Sequence, residues 1–141
     1  MFNYIFLNDY NISKTNCYQK CENYYYFDES NNYQCTDYSK CPEKYNKFIA
    51  LKNKCIDICS NDNIYKYENN NTCYEKCPIN TYPLIDKKYL CYDKPPESYY
   101  LDINELKYKK CFYSCKYCYG EGNENIHNCK QCIFNYIFLN D

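Results

Sequence analysis

The chain has 141 residues, 14 of them cysteine, and a formal net charge of −1. This cysteine density is typical of a secreted disulfide scaffold, and the even count would let every thiol pair. The charges form no basic stripe, so no nucleic acid partner is expected, and no apolar run is long enough to span a membrane. We expect any membrane attachment to come only through a segment outside this chain.

The two ends of the chain carry the same eight residues, FNYIFLND, at positions 2–9 and 134–141. The offset between these octapeptides is 132 residues, which indicates a tandem array of that period. A local duplication in an otherwise unique protein is the alternative. Residues 1–20 are therefore predicted to be the end of a hairpin begun in the preceding repeat, and residues 133–141 the start of the next repeat.

Eight cysteines between positions 21 and 91 follow a regular spacing, with thirteen residues between the two members of each of four pairs. Within these blocks, aromatic or β-branched residues lead into a polar turn, which is the pattern of a short hairpin. An isolated hairpin is marginal in water, and a disulfide across such a loop contributes about 3 kcal/mol in the chain-entropy model. We predict four disulfide-closed hairpin modules over residues 21–91, with the pairs Cys21–Cys35, Cys41–Cys55, Cys59–Cys73 and Cys77–Cys91.

Residues 92–110 contain no cysteine and include the dipeptide Pro95-Pro96. Two consecutive prolines cannot lie inside a helix or a central strand, so this stretch is predicted to be an extended connector or a broad loop. The run Tyr99-Tyr100-Leu101 is expected to begin a further short strand.

The last cysteines are closely spaced and allow two interpretations. Cys115, Cys118, Cys129 and Cys132 have the paired spacing of a tetrathiolate zinc site. Nine further cysteines precede Cys111 at loop-closing intervals, however, and they would have no purpose in a reducing compartment. We therefore expect disulfides here, with no metal and no other cofactor, and keep an intracellular zinc protein as the least favoured alternative.

Residues 111–120 read CFYSCKYCYG, residues 128–132 read NCKQC, and the aromatic octapeptide follows. This pattern resembles the furin-like, growth-factor-receptor type of cysteine-rich repeat, as found in long Cys- and Tyr-rich surface proteins of unicellular eukaryotes with AT-rich genomes. The resemblance implies a knot over residues 111–132 with the pairs Cys111–Cys118 and Cys115–Cys129. Cys132 is then expected to close a hairpin with Cys17 of the following copy, and not with Cys17 of its own copy, because the rod is open-ended.

Catalysis is not expected from this sequence. His127 is the only histidine, and the nearby Cys129 is expected in a disulfide rather than as an activated thiol. The carboxylates are scattered singly along the chain, which suits solvated loops better than an acid–base pair. Asn11 and Asn70 begin Asn-x-Ser/Thr sequences and are candidate glycosylation sites.

Most of the 22 tyrosines are expected to form the small core, but there are enough that some must be exposed. Exposed tyrosine is a good contact residue for proteins and for sugar rings. The predicted aromatic binding surface consists of Tyr24, Tyr25, Tyr26, Tyr65, Tyr67, Tyr99 and Tyr100.

The expected fold is small, disulfide-rich and mostly β or irregular, an elongated rod of short disulfide-closed hairpins with little helix. The expected function is that of a non-catalytic structural repeat in a long extracellular or cell-surface protein, either a stalk or a self-assembling filament. Neighbouring copies of the repeat are the expected partners, with lateral self-association and glycans as further candidates. The alternative is an adhesin or receptor-like module that binds protein or glycan through exposed tyrosines.

Overall fold

The structure is a computed structural model that describes residues 18–138 and a short strand at residues 4–5. Its regular elements are short β-strands and three single-turn 3₁₀ helices at Glu43–Tyr45, Ala50–Lys52 and Cys59–Asn61, and these ranges contain no α-helix. The prediction of a small, disulfide-rich, mostly β or irregular fold is confirmed. The chain divides into two compact units between Lys76 and Cys77, so the fourth hairpin module belongs to the second unit.

Two short strands lie ahead of the first module. Strand β1 (Tyr4–Ile5) pairs antiparallel with strand β2 (Tyr18–Gln19), with Tyr4 opposite Gln19 and Ile5 opposite Tyr18. The ring of Tyr18 packs on Tyr33 of the first module at a centroid distance of 4.8 Å. The N-terminal octapeptide therefore supplies one strand of a hairpin whose other strand directly follows Cys17.

The first three modules merge into one six-stranded sheet. Each module is an antiparallel hairpin, and parallel contacts join the first strand of one module to the second strand of the next, with Tyr25 opposite Lys54 and Phe48 opposite Thr72. The sheet order is β4-β3-β6-β5-β8-β7, where the strands are β3 (Tyr25–Phe27), β4 (Tyr33–Cys35), β5 (Lys47–Ile49), β6 (Lys54–Ile56), β7 (Tyr67–Asn69) and β8 (Thr72–Tyr74).

The core of the first unit is built around a disulfide. Cys59 and Cys73 are buried together with Ile49, and the half-buried side chains of Ile56 and Tyr65 pack against them. Sulfur behaves here as a small hydrophobic group and fills space that aliphatic side chains occupy in larger domains. The hairpins in this unit turn on asparagine residues in the left-handed conformation, which asparagine adopts more readily than most residues.

The second unit contains three two-stranded sheets. They are formed by β9 (Tyr82–Pro83) with β10 (Cys91–Tyr92), β11 (Tyr99–Asp102) with β12 (Lys107–Lys110), and β13 (Cys115–Cys118) with β14 (Cys129–Cys132). The connector over residues 92–110 thus ends in a hairpin. The strand that begins at Tyr99 follows the prediction, whereas its partner β12 is not evident in the sequence KYKK.

Strand β12 exists because Tyr108 is the most deeply buried tyrosine of the second unit, 1% exposed. It forms a parallel bridge with Leu84, and Tyr82 meets its ring edge-on at 6.0 Å. Burial raises the pKa of the Tyr108 hydroxyl. A second core cluster is formed by Cys111, Cys115 and Cys118 of the knot.

Candidate functional site

Six disulfides are present within residues 18–138, and they join the pairs proposed in the sequence analysis. They are Cys21–Cys35, Cys41–Cys55, Cys59–Cys73, Cys77–Cys91, Cys111–Cys118 and Cys115–Cys129. So many disulfides indicate an oxidising environment, extracellular or secreted. Within the described ranges, no helix has the length and hydrophobicity needed to cross a bilayer.

The knot places four of its five cysteines on two paired strands. In the strand pairing, Cys115 lies opposite Cys132 and Cys118 lies opposite Cys129. The disulfides instead join Cys118 to Cys111 and Cys115 to Cys129. Three of the four cysteines with zinc-like spacing are therefore in disulfides and are not available as thiolates. The part of the chain that the structure describes contains no group of three or more His, Cys, Asp or Glu residues arranged to hold a metal.

Cys132 is the one cysteine in residues 18–138 that forms no disulfide. It ends strand β14, is half-buried, and borders an open groove of about 800 Å³. Its lining includes Tyr119, Ile126, His127 and residues 135–138. The expected partner of Cys132 is Cys17 of the following copy, and Cys17 of this chain lies outside the described residues.

The segment that follows Cys132, residues 134–138, begins the second octapeptide and is unusually apolar for an exposed stretch. Phe134 is 88% exposed and Ile137 is 83% exposed, and both lie outside any strand. The backbone N–H of Ile133 donates to the Ser114 carbonyl at 2.9 Å, and that of Tyr136 donates to the Ile133 carbonyl. A contiguous apolar surface of this kind usually marks a contact site.

His127 has a packing role in the groove wall. Its ring stacks on Phe112 at 4.1 Å, and its Nδ1 lies 3.0 Å from the Ser114 hydroxyl. Ser114 is only 3% exposed, so a substrate could not reach this hydroxyl without rearrangement of the knot. Gly122 lies so close to His127 that any side chain at position 122 would collide with the His127 carbonyl. The loop is therefore closely packed although the imidazole itself is exposed.

The predicted aromatic surface is wrong for Tyr25, and its other members are less exposed than expected. Tyr25 is buried, 9% exposed, and the other six tyrosines are half-buried rather than exposed. Tyr24 packs on Phe48 at 4.2 Å because the sheet brings neighbouring hairpins side by side. The remaining members are Tyr26, which stacks on Tyr45, Tyr65 in the core cluster, Tyr67 in β7, and Tyr99 and Tyr100 in β11.

Other tyrosines occupy the surface. The most exposed are Tyr38, Tyr113, Tyr119 and Tyr136, which all lie outside regular strands. The sequence does contain a signal for the exposure of these tyrosines. Each lies beside Ser, Asp, Gly or Asn in a turn-forming stretch, rather than in a run of aromatic residues. Three of the four lie in the knot and the segment after it.

The structure describes only one of the two candidate glycosylation sites, Asn70. Asn70 is exposed at the tip of the turn between β7 and β8, with a backbone φ of 48°. Thr72, the third residue of its sequon, begins β8. Asn11 lies outside the described residues.

Comparison with known proteins gives no relative: no family model matches the chain, and neither a curated protein nor a solved structure is significantly similar to it.

Proposed function

We propose that this chain is one period of a long extracellular tandem-repeat protein, in which it serves as a non-catalytic structural repeat. The observation that carries the proposal is the different state of the two octapeptides. The N-terminal one contributes strand β1, paired with β2, while Tyr136 and Ile137 of the C-terminal one lie outside any strand beside the free Cys132. Ends that are complementary in this way suit an open-ended array.

A structural role also suits the way in which the chain is stabilised. Most of the described disulfides close loops of the same length, 14 positions apart in sequence, and each of the four hairpin modules is closed by its own disulfide. Stability of this kind is local, so repeats can be added without a larger core. The Cys111–Cys118 and Cys115–Cys129 pairs support a relation of the knot to the furin-like type. We place the array at the cell surface as a stalk or in a self-assembling filament.

Electron microscopy of the native protein, purified without reductant, tests this proposal. We expect unbranched rods with a regular axial repeat, and loss of the rods after reduction with dithiothreitol. Isolated globular particles with no axial repeat would refute the array. Mass spectrometry of the same material should also find peptides that run through the boundary, from residue 131 through the octapeptide into a second copy of residues 10–14.

A binding module is the second candidate, favoured by the tyrosines exposed on the second unit. Tyr113 and Tyr136 meet edge-on at 6.2 Å, and Tyr119 lines the groove nearby. Such a surface could stack on sugar rings or contact another protein. A glycan array with the full chain tests this role, with Tyr119→Ala expected to lose binding and Tyr38→Ala, in the first unit, expected to retain it. An array with no hits removes glycan recognition.

A further inference from the structure

We infer that the boundary between two repeats is itself a disulfide-closed hairpin, in which residues 134–138 pair with strand β2 of the following copy. This inference rests on the proposed tandem array and names the partner of the exposed segment at its C-terminal end. The single chain carries both parts of such a boundary. Cys132 and residues 134–138 form the first part at its end, and Cys17 and strand β2 form the second part near its start.

The register of the second, third and fourth modules supplies the template, whereas in the first module Thr36, after the closing cysteine, donates to the Tyr24 carbonyl, three positions after the opening cysteine. In the second module, Ile56 follows Cys55 and lies opposite Lys47, which is six positions after the first cysteine, Cys41. In the third module, the residue after the second cysteine is Tyr74, and it lies opposite a residue eight positions after the first cysteine.

The fourth module shows the same relation with a smaller offset. Tyr92 follows Cys91 and lies opposite Tyr82, which is five positions after Cys77. Across these three modules, the residue that follows the closing cysteine therefore pairs with a residue five to eight positions after the opening cysteine.

The boundary satisfies this rule. Tyr18 follows Cys17 and lies opposite Ile5, and the counterpart of Ile5 in the second octapeptide is Ile137. Ile137 stands five positions after Cys132, the same offset as in the fourth module. Cys132 and Cys17 of the next copy thus occupy the positions of opening and closing cysteines in a fifth hairpin.

The partner must come from the following copy, because β2 of the same chain is already paired with its own octapeptide. Residues 134–138 present apolar side chains and backbone groups outside any strand. A strand laid against Tyr136 and Ile137 would replace the turn hydrogen bond from the Tyr136 N–H to the Ile133 carbonyl by ladder hydrogen bonds and would remove apolar surface from water. The next copy's Tyr18–Gln19 strand is the occupant, since the identical octapeptide selects it at the N-terminal end.

Closure of this hairpin is an oxidation and needs an electron acceptor. A low-molecular-weight disulfide such as oxidised glutathione supplies it by thiol–disulfide exchange. The Cys132 thiolate attacks one sulfur and releases one glutathione thiolate, and the Cys17 thiolate of the next copy then displaces the second. One protein disulfide forms, and the two electrons and two thiol protons end on two molecules of reduced glutathione.

A two-period chain, in which Asp141 of the first copy is followed by Tyr10 of the second, tests the register. Cys17 and Cys132 are replaced by serine in both copies, and Ile137→Cys in the first copy is combined with Tyr18→Cys in the second. The matched control combines Tyr136→Cys with the same Tyr18→Cys, one position out of register. Because a shift of one residue turns a side chain to the other face, we expect at least about tenfold more cross-link in the first variant.

Equal cross-linking in the two variants, or none in either, would overturn the inference. The two-period chain of natural sequence is the control for a folding defect in the variants. Its thiols are alkylated without prior reduction. Cys132 of the first copy and Cys17 of the second should resist alkylation, while Cys17 of the first and Cys132 of the second should react. Alkylation of all four also overturns the inference. If native rods keep their axial repeat in that case, the boundary hairpin fails and the proposed function stands.

Discussion

Ile5 lies directly opposite Tyr18 in an antiparallel pair of strands. Its counterpart in the second octapeptide, Ile137, has the same neighbours in sequence but is exposed and lies outside any strand. The two environments differ because strand formation needs a partner: Ile5 has strand β2, and Ile137 has no paired strand within the described residues. A second strand after residue 141 would make the two environments alike.

The contribution of burial to a disulfide can be measured within the first unit. Cys59–Cys73 and Cys21–Cys35 have the same separation of 14 positions, so their loop-closure entropies match. Cys59 and Cys73 are both buried in the core, whereas Cys35 is exposed. We predict that Cys59→Ala with Cys73→Ala lowers the free energy of unfolding by about 4–5 kcal/mol, and that Cys21→Ala with Cys35→Ala lowers it by about 3 kcal/mol.

Urea unfolding of the full chain, with the remaining disulfides intact, gives both values. Equal losses for the two double variants would show that the core cluster adds nothing beyond loop closure. A larger loss for the Cys21–Cys35 pair, of which only Cys35 is exposed, would contradict the assignment of Cys59 and Cys73 to the core.

Asp62 is predicted to be an important stabilising carboxylate of the first unit. Its side chain is buried, it accepts hydrogen bonds from the backbone N–H groups of Ile64 and Tyr65 at 2.9 Å, and Lys52 Nζ lies 2.6 Å away. Asp62→Ala leaves buried donors without a partner and should cost about 2–3 kcal/mol. Asp57→Ala, at an exposed carboxylate that also accepts a backbone hydrogen bond, is the control and should cost under about 1 kcal/mol.

The same carboxylate should give the protein an acid-sensitive component of stability. Burial acts to raise the pKa of Asp62, but the hydrogen bonds from Lys52, Tyr65 and Ile64 outweigh it and hold the pKa below its usual value. A lowered pKa in the folded state contributes stability at pH values above the unfolded-state pKa, and this stability is lost as the pH falls through the folded-state pKa. The difference in unfolding free energy between the natural chain and Asp62→Asn should therefore shrink on acidification from neutral pH. A difference that stays constant contradicts this role.

Tyr108 should be the most sensitive tyrosine of the second unit. Truncation to alanine would leave a cavity beside Leu84 and Tyr82 and should cost about 3–5 kcal/mol. Tyr119→Ala, at a ring that is 75% exposed, is the matched control and should change stability by less than about 0.5 kcal/mol. Thermal unfolding followed by near-ultraviolet circular dichroism reports both, and similar melting temperatures for the two variants would contradict the burial.

The turn between β7 and β8 should depend on its left-handed backbone. Asn70 and Asn71 have φ values of 48° and 59°, the conformation of a two-residue hairpin turn. Asn70→Val places a β-branched residue in this conformation and should cost about 1–2 kcal/mol. Asn70→Gly removes the same sequon and side chain without that strain, so it should stay within about 0.5 kcal/mol of the natural chain in urea unfolding. Equal effects of valine and glycine would rule out the conformational explanation.

Secretion of the chain from a eukaryotic cell tests glycosylation at Asn70. We expect a glycan there, removable by peptide-N-glycosidase, because the asparagine is exposed on a turn. Thr72→Ala destroys the sequon and should lower the mass by one glycan, whereas Thr72→Ser should keep it. An unchanged mass for Thr72→Ala would exclude this site.

Cysteine spacing predicted the disulfide-closed hairpins. The packing of the hairpins against one another could not be predicted, because it depends on contacts between distant residues. Cys59 and Cys73 stand at the separation of a closed hairpin, and loop-closure entropy depends on that separation alone. The merging of hairpins depends on single parallel contacts such as Tyr25 with Lys54, which leave no periodic pattern in the sequence. The exposure of Tyr24 and Tyr26 was overestimated for the same reason, since the neighbouring hairpins that cover them could not be placed.

The state of Cys17 and Cys132 in the 141-residue chain tests the central claim most directly. The protein is oxidised at low concentration, the monomer is isolated, and its thiols are alkylated before digestion and mass spectrometry. We predict six intrachain disulfides, with the alkyl groups on Cys17 and Cys132, because an open-ended repeat has no partner for either within itself. A monomer with a seventh disulfide, between Cys17 and Cys132 of one chain, would contradict the account.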